Sequence, residues 1–152
     1  PIYLMLARNA GFDSSIVIRG TEGGVVPSLR QKANAHFYLN KEKSDSLMEV
    51  EPDKDLKINQ TVRAVKIPDA FEKKTKLDKI EIKVDPLEIA KESLRLGMEA
   101  LSGTNGPMRD CIALSTTIML QHVSQHSLAD CYKEINDVLD SGAALKRFKE
   151  AL

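Results

Sequence analysis

The chain has 152 residues, with 22 Lys and Arg balanced by 22 Asp and Glu, and is 42% hydrophobic. That length supports one domain with its own core, and zero net charge excludes a protein-wide field for nucleic acid or acidic lipid while leaving room for a local patch. The longest apolar runs, such as residues 2–7, are too short to span a bilayer, no secretory signal is recognised, and Cys111 and Cys131 have no partners at metal spacing; a cytoplasmic protein with two buried thiols is expected.

Residues 2–10 read as a short helix, stopped by Asn9-Ala10-Gly11. The chain opens on Pro1 without a methionine, which predicts a single α/β domain over 1–152 taken from a longer chain. The β-branched run at 15–19 has strand length and no clean alternation, as expected of a strand covered on both faces in a parallel sheet. A glycine-rich bend follows. Helix, strand and glycine turn make half of a βαβ unit, whose loop lies where α/β sheets bind ligands.

From 31 to 84 the pattern turns β-rich and loopy, with antiparallel pairing expected. Strands are predicted at 33–40, 61–67 and 79–84, the last alternating apolar and charged residues, with polar connections at 41–55 and 68–76. Beyond Asp85 everything is helical. Asp85-Pro86 supplies a cap and a first-turn proline, with Leu87, Ala90, Leu94 and Met98 or Leu101 on one face. Pro107 starts a second helix to about Val123, apolar around much of its circumference (Met108, Cys111, Ile112, Leu114, Ile118, Met119, Val123) and so expected to be the most buried. Ser127 and Asp130 form a capping box for a third, with Leu128, Tyr132, Ile135 and Leu139 inward. A short fourth helix puts Leu145, Phe148 and Leu152 on one side.

The bend Gly20-Thr21-Glu22-Gly23-Gly24 is the best candidate for a ligand-facing loop, because its glycines allow positive φ and close backbone approach to a phosphate or sugar. A plain tight turn is the competing reading: no Lys-Ser/Thr follows as in a P-loop, and Pro27 interrupts any dinucleotide fingerprint. Glu22, its one carboxylate, makes a poor magnesium site alone. Arg30 and Lys32 are candidate phosphate contacts. Lys41 and Lys43, and the group Lys73, Lys74, Lys76 and Lys79, read as solvated loop. His36 falls in a strand. His122 and His126 stand i, i+4 but lack a third ligand, so they read as helix-end histidines beside the dipole; Asp110, next to Arg109, favours the dipole at its own helix start. No metal ligand set and no nucleophilic triad is evident.

Three stretches, in order, resemble the C-terminal part of the anthranilate phosphoribosyltransferase family of glycosyltransferases: the strand and glycine turn at 14–24, the Gly-Pro-x-Arg-Asp helix within 100–122, and the closing segment at 127–152 with its Ser-Gly-x-Ala-Leu string. The resemblance implies a phosphoribosyltransferase/nucleoside-phosphorylase-type α/β domain, with a mixed β-sheet flanked by helices and an all-helical C-terminal third. It implies a homodimeric parent whose N-terminal helical subdomain and diphosphate-binding loop lie outside this chain. In catalytic members the turn leads into an Asp-Glu pair that holds magnesium against phosphoribosyl pyrophosphate. With Glu22-Gly23 matched to the family's Asp-Gly, that pair falls on Val25 and Val26, and isopropyl groups cannot ligate a hard cation. One branch of the family carries Gly-Thr-Glu-Gly here, and its members are described as nucleic-acid-binding proteins without the parent reaction. The resemblance therefore implies a binding protein for nucleic acid or a phosphorylated sugar, with no cofactor in this segment. The alternative is a transferase using phosphoribosyl pyrophosphate and magnesium, with its metal ligands elsewhere.

Overall fold

A computed structural model describes residues 2–20, 26–65 and 86–151. In chain order they form α1 (Ile2–Asn9), β1 (Ser15–Ile18), β2 (Ala33–Tyr38), β3 (Ser46–Val50), α2 (Pro52–Leu56), α3 (Pro86–Leu101), α4 (Pro107–Ser124), α5 (Leu128–Asp140) and α6 (Ala143–Glu150). The described chain is mixed α/β, and its last part is helical as expected.

The sheet has the order β1-β2-β3 and is antiparallel throughout the described residues, with Val17 opposite His36 and Ala35 opposite Met48. Among the described residues β1 thus pairs antiparallel and not in the parallel manner expected of it. A four-residue apolar run is compatible with either pairing, and all four of its residues are only half-buried. The predicted strand at 61–67 is irregular over 61–65, and its remainder, like the predicted strand at 79–84 and the lysines at 73–79, lies outside the described residues. The polar connection at 41–55 instead contains β3 and α2. In β3 the charged neighbours hide a genuine alternation: Leu47 and Glu49 face out, while Val50 is fully buried.

One core joins sheet and helices. Ala33 and Ala35 of β2, Val50 of β3, Leu29, Leu56 and Ile58 meet Cys111, Leu114 and Ile118 of α4. The three α4 residues recur at i, i+3 and i+7, so they form one stripe, and the small alanines of β2 let that stripe approach the sheet. Burial pushes the Cys111 thiol above its ordinary range, and both cysteines are buried free thiols. Met119 and Val123, expected inside, are 55% and 72% exposed, because they sit on the face of α4 opposite the stripe. In α3 the inward row runs through Ile89, Leu96 and Ala100, whereas Leu87, Ala90 and Leu94 are exposed. Amphipathic periodicity allowed two neighbouring faces, and packing against α4 selected the other one.

The cap expected at Ser127 is present, while that expected at Asp85 lies outside the described residues. Ser127 Oγ accepts from the Asp130 amide at 3.1 Å and starts α5. Gly103, in the turn between α3 and α4, has φ 87°, and an added Cβ would come 3.2 Å from the Leu139 carbonyl oxygen. This glycine therefore seats the turn against the end of α5. At the other end of the molecule, α1 is held by Arg8, whose guanidinium lies 4.2 Å from the Tyr38 ring centre while its Nε donates to the Glu42 carbonyl at 2.7 Å.

Candidate anion-binding site

Antiparallel pairing sets Ile18, the last residue of β1, opposite Ala35. Arg19 and Gly20 therefore leave the sheet at the same end at which Lys32 and Asn34 enter β2. Between them Pro27, Ser28 and Leu29 are buried, with Leu29 reaching the core. Ser28 Oγ accepts from the backbone amides of Arg30 and Gln31 at 3.2 and 3.1 Å, which turns the chain into β2. A third segment is laced onto this turn. The Leu29 amide donates to the Arg63 carbonyl at 2.8 Å, Arg30 donates to the Thr61 carbonyl at 3.2 Å, and Arg63 donates to Gln31 Oε1 at 2.9 Å.

These three segments enclose a polar cavity of about 230 Å³, lined chiefly by Arg19, Gly20, Ser28, Lys32, Asn34 and Arg63. Three cationic side chains stand around it, and the lining contains no carboxylate among the described residues. Among the described residues Glu49, directly opposite Asn34 across the β2–β3 ladder, pairs with Lys32 at 2.5 Å with both side chains about half exposed. Arg19 has no acidic partner among the described residues. Such a lining is suited to an anion and is unsuited to a bare metal cation.

Of the residues singled out in the sequence, Gly20 and Lys32 line the cavity. Arg30 does not line it, since its guanidinium is spent on Thr61. Thr21, Glu22, Gly23, Gly24 and Val25 lie outside the described residues. Val26 is described, and it packs against the hydrophobic core cluster. Arg19, Ser28, Asn34 and Arg63 were missed. The available signal was a run of polar and basic residues flanking two strand ends, but nothing in the sequence tied Arg63 to a turn more than thirty positions earlier.

The histidines read differently from expectation. His122 is only 5% exposed and meets Phe37 edge-on, with ring centres 5.5 Å apart and planes at 77°. Burial lowers its pKa, so it is a neutral core residue and not a cation favoured by the helix dipole. His126 lies beyond the end of α4, and no group of three metal-ligating side chains exists among the described residues. Asp110 holds the Gln60 side-chain amide at 2.6 Å, an added link between the loop after α2 and the start of α4.

A larger cavity of about 450 Å³ lies between α3 and the start of α4. Its charges are already matched: Arg95 donates to Glu92 and Glu99 at 2.6 Å each, and this contact holds the Glu92 carboxyl below its usual range. It has less chemistry to offer than the smaller, donor-lined cavity. No helix among the described residues is long and apolar enough to cross a membrane. The chain matches no protein-family model, and no curated protein sequence aligns with it.

Proposed function

We propose that this chain is the C-terminal α/β portion of a protein of the anthranilate phosphoribosyltransferase type that has exchanged magnesium-dependent transfer for binding, with nucleic acid as the ligand. The three family-like stretches in their order support the kinship. One observation carries the functional half: Val26, at a position where a catalytic member needs a metal-holding carboxylate, packs against the core. A residue committed to hydrocarbon contacts cannot also present an oxygen to a divalent ion, and departure of pyrophosphate would lose its local Lewis acid. The neighbouring cavity supplies fixed positive charge instead of a metal bridge. The reading carries with it a cytoplasmic setting and a homodimeric parent.

The test uses the protein at its full natural length. Supplied with phosphoribosyl pyrophosphate, magnesium and anthranilate, it should release no pyrophosphate above background. It should bind single- or double-stranded DNA with an affinity that falls as salt rises, because phosphate contacts release counterions. Turnover that is lost in Glu22→Gln would instead establish the transferase alternative. Negligible binding at all salt concentrations would remove nucleic acid as the ligand.

A further inference from the structure

We infer that the cavity formed by Arg19, Ser28, Lys32, Asn34 and Arg63 is a seat for a terminal phosphate monoester, a deepening that rests on the binding function proposed above. The first argument is donor surplus. Both Oγ hydrogen bonds of Ser28 are ones it accepts, from the amides of Arg30 and Gln31, so its own proton remains to be donated. Ser28 is 6% exposed and lines the cavity, and no acceptor for that proton exists among the described residues. The buried Ser28 hydroxyl proton, the Arg19 guanidinium and the Lys32 ammonium therefore line one space, a set that calls for a ligand made of acceptors.

Size and charge select the kind of phosphate. At about 230 Å³ the cavity is below the roughly 300–1,000 Å³ of pockets that enclose whole drug-sized ligands, so it takes one group and not a complete nucleotide. A cavity of this size admits a chain end more readily than an internal diester, which must run on past both sides. The monoester also carries close to two negative charges at neutral pH, against one for a diester. That difference matters at Lys32, whose half-exposed pairing with Glu49 is a weak interaction that a dianion can displace. Glu49 is thus a competing internal anion, and it sets a threshold that favours the more highly charged ligand.

The experiment compares a short oligothymidylate bearing a 5′-phosphate with the same oligomer ending in a 5′-hydroxyl, by fluorescence anisotropy at fixed salt. The phosphorylated form should bind roughly tenfold more tightly, as expected for charge-assisted hydrogen bonds gained in a partly enclosed site. Arg19→Gln should abolish that preference by weakening the phosphorylated form far more than the hydroxyl form, and Arg63→Gln should act in the same direction. Glu49→Gln should strengthen binding of the phosphorylated form only, a gain that a merely structural role would not produce. Thermal melts of Arg19→Gln establish that the fold is intact. Equal binding of the two oligomers, or equal weakening of both by Arg19→Gln, would overturn the seat. A nucleoside monophosphate and inorganic phosphate form the second arm. If they bind in an Arg19-dependent way while no oligomer binds, the seat stands and nucleic acid fails as the ligand.

Discussion

The molecule contains two places where arginine is decisive, and they treat charge in opposite ways. In the helical half, Arg109 is about nine-tenths buried and donates to Asn105 at 3.1 Å and to Asp140 at 2.6 Å, clasping the start of α4 to the end of α5. Its positive charge is consumed within the fold. At the open end of the sheet, Arg19, Lys32 and Arg63 stand around a cavity whose lining holds no carboxylate among the described residues. Guanidinium chemistry is the same in both. Burial and pre-assigned acceptors make the first a clamp, while the exposure of Arg19 and the undonated proton of Ser28 make the second a receptor.

The largest expected effect falls on the clamp. Arg109→Ala removes two charge-assisted hydrogen bonds and the packed stem together, and should destabilise the protein by about 2–3 kcal/mol, measured as a shift in urea midpoint at constant slope. Arg109→Lys should recover only part of this, since an ammonium on an unforked stem cannot address Asn105 and Asp140 in the same geometry. If Arg109→Ala were neutral, the distinction between clamp and receptor would lose its first half.

Sealed polar groups sharpen the contrast from the other side. Thr117 is fully buried on α4, and its hydroxyl has no partner among the described residues. Unlike Ser28, it lines neither of the cavities described above. Thr117→Val keeps the shape and removes the unsatisfied hydroxyl, and should stabilise the fold by about 1 kcal/mol in the same denaturation assay. His122 tests the point through pH. Burial favours its neutral form in the native state, so as pH falls through the ordinary imidazole range, near 6.5, the unfolded chain takes up the proton first. The contribution to stability is fully present above that range and is lost as pH falls through it toward the lowered native pKa. Wild type should therefore lose more stability between pH 7.5 and 5.5 than His122→Gln does, and identical losses would show that the ring is not held neutral.

How much of this was readable beforehand depended on whether the signal was local. The starts and stops of α4 and α5 were legible because Pro107, Ser127 and Asp130 act within one turn of themselves. Burial of Cys111, Leu114 and Ile118 was legible because a helical stripe repeats within its own segment. Strand direction was legible in the middle of the chain, where antiparallel pairing was expected and β2 and β3 show it, and not for β1, whose run satisfies a parallel or an antiparallel neighbour until its register with β2 decides. The face of α3 was misread for a related reason, since Leu87 and Leu94 mark one stripe and Leu96 and Ala100 another, and the partner helix makes the choice. The site was half legible. Gly20 and Lys32 announced themselves by type, but Ser28 looked like an ordinary turn residue, and Arg63 joins only through the Leu29 and Gln31 hydrogen bonds.

The smallest expected effect is the one that separates the two arginine sites most sharply. Arg19 is exposed and makes no ion pair among the described residues, so Arg19→Gln should change stability by less than about 0.5 kcal/mol, as surface substitutions away from caps, cores and networks do. Lys32→Gln should behave similarly, because the half-exposed pair that it breaks with Glu49 contributes roughly 0–1 kcal/mol and is screened by salt. Both melts should overlay that of the wild type at physiological ionic strength, in contrast to Arg109→Ala. A marked loss of stability in Arg19→Gln would mean that its guanidinium is already engaged within the fold. The cavity would then be a second clamp and not a receptor, since a donor that the fold consumes cannot also be kept for a ligand.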